Sequence, residues 1–166
     1  LTAGGTIANF EALWIARGLR YLGVVLALAA RDLQVALPVR MLSGHIGDIR
    51  NLSLWELLNL RAADTLDAHR ALFELASRQQ VAEALDSHSL SAIGYQDYTL
   101  RLAEAFADPL PAGVVLVSAT AHYSWEKIVR ALGIGARCMV PVPIDASCRM
   151  DPDALWQILT ECAAAR

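Results

Sequence analysis

Residues 114–142 read VVLVSATAHYSWEKIVRALGIGARCMVPV, and this stretch decides the fold class. Val114 to Val117 is an unbroken β-branched and apolar run of strand length, the pattern of a strand covered on both faces. Ser124 stands where it can cap a following helix, with Glu126 in the first turn, where the positive end of the helix dipole favours a carboxylate. Trp125, Ile128, Val129 and Leu132 supply that helix's apolar face, and Gly133 ends it. Arg137 to Val142 is a second strand, closed by Pro143. Asp151-Pro152 then opens another helix, an N-cap side chain followed by proline at the first helical position, with Leu155, Ile158 and Leu159 on the buried side. Strand, helix, strand, helix predicts parallel pairing with right-handed crossovers, so the class is α/β.

Toward the N-terminus the punctuation changes. Gly4 and Gly5 occupy a turn, and Phe10, Leu13, Trp14 and the residues to Arg17 follow a 3.6-residue period, which predicts a helix over 6–18. A second helical pattern runs over 21–36 and is broken by Pro38. Met41 to Asn51, with Gly44 and Gly47, reads as a loop. From Leu52 to Phe106 helix formers dominate and no strand pattern occurs; Asp108-Pro109 and Pro111 to Gly113 end this region. The chain therefore divides into residues 1–37, a mainly helical insert over 38–112, and the strand-helix-strand-helix portion over 113–166.

Composition narrows the partners. The 166 residues are 55% hydrophobic, enough for a buried core, and the net charge is −3, with 14 basic residues scattered among 17 acidic ones. No basic stripe recommends a nucleic acid. The longest apolar run, Tyr21 to Ala30, is about half of a bilayer span and is flanked by Arg17, Arg20 and Arg31, so it reads as a buried helix and not as a membrane segment. Cys138, Cys148 and Cys162 are an odd set without metal-ligand spacing, which predicts neither a disulfide framework nor a zinc site and fits a reducing, cytoplasmic setting. Leu1 is not an initiator methionine, and Arg166 lies inside an Ala-rich helical pattern, so the chain reads as an internal portion of a longer protein.

Few residues combine type and position for chemistry. Gly4-Gly5-Thr6 precedes a helix, where unpaired amides and the dipole can hold an anion and glycines let a phosphate approach the backbone; a glycine pair there is also an ordinary turn. His122 lies just past the strand at 114–117, the edge where open parallel sheets place ligands. Its imidazole can stack on a flat heteroaromatic ring, move a proton, or serve only structure. His45, His69 and His88 have no partners at metal-ligand spacing. Lys127, the sole lysine, shares a helix side with Ser124 and Arg130 and reads as a solvated side chain, a poor Schiff-base candidate.

Two segments carry a resemblance. Leu1-Thr-Ala-Gly-Gly-Thr-Ile-Ala-Asn-Phe-Glu-Ala-Leu-Trp-Ile-Ala-Arg17 and Ala121-His-Tyr-Ser-Trp-Glu-Lys127, the latter followed by Leu-Gly-Ile-Gly and Val-Pro-Val-Pro, resemble the fold-type-I pyridoxal-phosphate enzymes that decarboxylate amino acids. Within that group Ser53-Leu-Trp-Glu-Leu-Leu-Asn-Leu60 and Arg149-Met150-Asp151 are similar to segments of the bacterial tyrosine decarboxylases. The resemblance implies part of a fold-type-I large domain, pyridoxal 5'-phosphate as cofactor, an aromatic L-amino acid as substrate and a homodimer. Residue by residue, it implies that Gly5 and Thr6 hold the cofactor phosphate, that His122 stacks on the pyridine ring as the catalytic histidine, and that Asn9 supports the loop. Ala3 and Gly4 fall where the tyrosine decarboxylases usually show other small or polar residues. The family's aspartate for the pyridine nitrogen and its covalent lysine belong to later strands. Relatives acting on glutamate or aspartate, or a catalytically inert copy lacking the lysine, are the alternatives.

Overall fold

The computed structural model describes residues 2–107 and 113–164. The expected end of the helical region, at Asp108-Pro109 and Pro111 to Gly113, lies outside the described residues except for Gly113. The structure resolves into two compact units, one formed by residues 1–13 and 112–166, the other by residues 14–111.

Helix α1 (Gly5–Asp32) runs 28 residues without interruption, where the sequence predicts two helices. Gly18 sits inside it. A single glycine costs a helix only about 1 kcal/mol, too little to end one whose apolar period continues on both sides. The helix stops short of Ala36 because Gln34 adopts the left-handed conformation (φ 56°). There the amides of Gln34 and Val35 donate to Arg31 and Ala30 carbonyls at 3.1 Å, closing the last turn. By length and composition α1 can cross a bilayer, more than the run at 21–30 suggests. In this fold its Gly23–Ala30 stretch is instead the centre of a protein core.

That core belongs to the second unit. Val24, Leu26, Ala27, Ala29 and Ala30 are fully buried with Leu37, Ile49 and Leu72, and beside them lie Leu54, Leu57, Tyr98 and Leu102. The expected loop at 41–51 is more ordered than its glycines suggest. β1 (Pro38–Arg40) pairs antiparallel with β2 (Ile46–Asp48), and a 3-10 turn, Ile49–Asn51, follows. Pro38 therefore begins a strand and does not terminate the helix. Asp48 organises the hairpin's exit by accepting from the Arg50 amide at 3.1 Å and the Arg50 Nε at 2.9 Å. These bonds hold its carboxyl below the ordinary range. Arg31 ties the end of α1 to this turn through the Arg50 carbonyl, accepted at 3.0 Å from Nε, and stacks over Phe106 at 4.9 Å.

Between Leu52 and Phe106, where helix formers dominate, the chain forms four α-helices: α2 (Leu54–Leu58), α3 (Ala62–Leu75), α4 (Arg78–His88) and α5 (Leu90–Ala105). Ser53 with Glu56 and Ser77 with Gln80 form complete capping boxes, which start α2 and α4. The second box, at Ser77, separates α4 from the end of α3 at Leu75. Gly94 breaks the helical geometry of α5 (φ 79°, ψ 166°).

The first unit contains the α/β portion. β3 (Val115–Ser118) and β4 (Met139–Val142) pair in parallel, Val115 opposite Met139 and Ser118 opposite Val142, as the alternation of elements predicts. Arg137 lies not in the strand but in a 3-10 turn, Ala136–Cys138. Between the strands runs α6 (Ser124–Ala131), with Ile128 and Val129 buried and Gly133 at φ 70° just past its end. After β4, Asp145 accepts from the amides of Ser147 (2.8 Å) and Arg149 (2.9 Å), and Cys148 sits at φ 60°. α7 (Pro152–Ala164) starts as expected, with Asp151 accepting from the amides of Asp153 (2.9 Å) and Ala154 (3.2 Å). Its buried side is narrower than the periodicity predicts, since Leu159 is 45% exposed.

Candidate functional site

The sequence brings two distant stretches into the first unit, the start of α1 and the turn between β3 and α6. At the start of α1, Gly4 has φ +146°, a conformation that side chains disfavour, and its carbonyl accepts the first helical bond from Ala8 at 3.0 Å. The amides of Gly5, Thr6 and Ile7 therefore lie ahead of the intrahelical ladder, as the first donors of any helix do. No acidic side chain occupies this turn. A β-carbon added at Gly4 or Gly5 would meet nothing within 4 Å, and Gly4, Gly5 and Thr6 are exposed, so this helix start is open to solvent. Open amides, a dipole's positive end and a hydroxyl suit a phosphate dianion.

At the other end of the site, the chain leaves β3 at Ser118, turns through Ala121, whose amide bonds the Ser118 carbonyl at 2.8 Å, and presents His122. The ring is exposed, with Tyr123 tilted against it at 4.2 Å between centroids. The Ser124 amide donates to His122 Nδ1 at 3.2 Å, and Ser124 Oγ lies 3.0 Å from the same nitrogen. An amide can only donate, so Nδ1 is an acceptor, and the neutral ring carries its proton on Nε2.

Ser124 is where the structure departs most from the expectation for this region. It does not cap α6; Tyr123 holds the cap position with no side-chain bond, and Ser124 is the first helical residue, fully buried. Its hydroxyl accepts instead from Asn9 Nδ2 at 3.3 Å, across 115 positions of sequence. Asn9 stands four residues after Gly5, on the same side of α1. One hydrogen bond thus joins the helix with the open amides to the residue that fixes His122.

The remaining candidates lie as follows. Lys127 is exposed, its ammonium 4.8 Å over the Tyr123 ring, and not on the side of buried Ser124. His88 pairs with Asp32 at 2.7 Å and His69 stands edge-on to Phe73, both in the helical unit. No group of three metal-ligating side chains occurs among the described residues. Within the helical unit, Trp14, Tyr21, Leu22, Val25 and Leu85 line a mainly apolar cleft of about 430 Å³. Burial raises the Tyr21 and Tyr98 phenols above their ordinary range, so neither is a base at neutral pH.

The first unit thus holds a parallel strand pair with a histidine just past the strand end and a glycine-led helix start tied to it through Asn9 and Ser124. Over its whole length the chain is similar to bacterial L-tyrosine decarboxylases. It is 32% identical to the L-tyrosine decarboxylase of Levilactobacillus brevis over 166 residues, and 29% identical to that of Enterococcus faecium over 163. With the Enterococcus faecalis enzyme it shares 28% over 159 residues. The chain spans about a fifth of the length of these curated relatives (20–21%). No family model matches it.

Proposed function

We propose that this chain supplies the phosphate cradle and ring-stacking histidine of a pyridoxal 5'-phosphate-dependent decarboxylase, and that the intact protein converts an aromatic L-amino acid, tyrosine, to its amine and carbon dioxide. The observation that carries the proposal is the Asn9 to Ser124 bond, which ties the open amides of Gly5 and Thr6 to the element that presents His122. Similarity along this chain to relatives named for tyrosine favours the aromatic substrate over glutamate or aspartate. On this reading the chain is part of a fold-type-I large domain, residues 38–112 being a helical insert, and the intact protein is a cytoplasmic homodimer.

In this site the amides at the start of α1 and the Thr6 hydroxyl would bind the phosphate, fixing one end of the cofactor. His122 would lie against the pyridine ring and fix its plane, Tyr123 supporting the imidazole from one side. Two anchors at opposite ends of a flat molecule leave it little rotational freedom, and that orientation is the chain's contribution to rate. When bound, pyridoxal 5'-phosphate supplies the electron sink for breaking the bond to the carboxylate.

The test is retention of pyridoxal 5'-phosphate by the intact protein in equilibrium dialysis, with carbon dioxide release measured from tyrosine and, separately, glutamate. Wild type should bind and act on tyrosine. Gly5→Val, which puts a branched side chain where the phosphate approaches the backbone, should lose affinity by about tenfold or more with the fold unchanged. Equal retention by the two proteins would refute the cradle, and preference for glutamate would refute the substrate.

A further inference from the structure

We propose that Asn9 and Ser124 are positioning residues, forming a directed hydrogen-bond relay that sets the tautomer and the plane of the His122 ring. Direction follows from what each group can do. The Asn9 amide nitrogen only donates, so its 3.3 Å contact occupies a lone pair of Ser124 Oγ and leaves the serine proton free for another acceptor. The acceptor within reach is His122 Nδ1, at 3.0 Å. The Ser124 amide, at 3.2 Å, points at the same atom. Two donors of one residue therefore hold Nδ1, the proton stays on Nε2, and the ring can turn about its own bonds only by breaking both.

Burial gives the relay its rigidity. Ser124 is fully buried at the first position of α6, so its hydroxyl has no water to turn toward, and Asn9 is half-buried on α1. A buried hydroxyl turned away from its acceptor is left unsatisfied, which costs more than the bond it forgoes. The relay also couples the two anchors. Asn9 rides on the helix whose first amides form the cradle, so a shift of that helix start is felt at the His122 ring. The role toward the cofactor rests on the function proposed above; the control of the ring's tautomer does not.

The experiment uses the intact protein labelled with ¹⁵N-histidine, the His122 ring resonances being identified by their loss in His122→Gln. Wild type should show an acceptor-type Nδ1 and a protonated Nε2. Ser124→Ala removes the hydroxyl. Asn9→Asp replaces the donor by an acceptor, pulling the serine proton away from the ring. Each should shift the tautomer ratio of His122 about fivefold toward the other form, the worth of one hydrogen bond. Asn9→Asp, at a half-buried position, carries the test if Ser124→Ala does not fold. An unchanged ratio in the variants that fold would overturn the relay. The second arm adds pyridoxal 5'-phosphate and reads visible circular dichroism per bound cofactor, a signal that needs a fixed ring; Asn9→Asp should lose it, and restoration of the hydroxyl acceptor pattern by Asn9→Gln should recover part. Retention of the full signal by Asn9→Asp would overturn the coupling of relay to cofactor. Wild type that takes up no cofactor while the tautomer responds would sink the proposed function and leave the relay standing.

Discussion

Gly23 of α1 faces the backbone of α2. A β-carbon placed there would lie 2.7 Å from the Leu57 carbonyl oxygen and 3.1 Å from Leu60 Cδ1. The second neighbour is the end of a flexible side chain and can turn away. The first is backbone, and no rotamer relieves it, so either α1 or α2 must move by several tenths of an ångström. Overpacking of this kind costs about 1–3 kcal/mol. Against it stands the helix preference for alanine over glycine, about 1 kcal/mol. The same helix provides the control, because Gly18 has nothing within 4 Å of its added β-carbon. Gly18→Ala should therefore stabilise by about 0.5–1 kcal/mol, and Gly23→Ala should destabilise by up to about 2 kcal/mol. Urea unfolding of the intact protein, followed at the helical circular dichroism band, should place the two midpoints on opposite sides of wild type with unchanged slopes. Equal midpoints for the two variants would show that α2 yields freely and that close packing does not explain this glycine.

On the function proposed above, His122→Ala in the intact protein should lower tyrosine turnover by a larger factor than it lowers bound pyridoxal 5'-phosphate, since stacking would orient a molecule the phosphate anchors; parallel losses, read from kinetics and cofactor content, would make His122 only a binding residue. The Asp48 carboxyl is held low first by the Arg50 side chain, so its stabilising contribution is present above the unfolded aspartate value and lost as pH falls through the folded one. Stability curves of wild type and Asp48→Asn should accordingly converge between about pH 4 and lower values, and curves that stay parallel would refute the assignment.

The α/β portion was legible because its signals are local. Val114 to Val117 is apolar without interruption, and Asp151-Pro152 is a start signal complete in two residues. The hairpin at 38–48 was not, because its pairing depends on Asp48, whose carboxylate receives the Leu37 and Arg50 amides only after the chain has closed on itself. Continuity of α1 through Gly18 was hidden for a related reason: the burial of Gly23–Ala30 decides it, and propensity does not. In the site, Gly5, Thr6 and His122 stand out by type and position. Ser124 did not, since a serine before a helix reads as a cap, and its partner lies 115 residues away. The signal that was present is its spacing, two residues after His122, which lets one residue's amide and hydroxyl reach the same ring nitrogen.

The break at Gly94 gives α5 two clocks. Residues past it begin a new helical run, whose first amides precede that run's own ladder of bonds. The lead of the helix is held by the Ser89 cap and by the partly buried Leu90 and Ile93, and it opens at less cost than the core. The run beyond carries Tyr98 and Leu102 into the core, and its amides meet solvent deuterium only when that core opens. A single glycine thereby separates, within one helix, protons that exchange early from protons that report the stability of the whole helical unit.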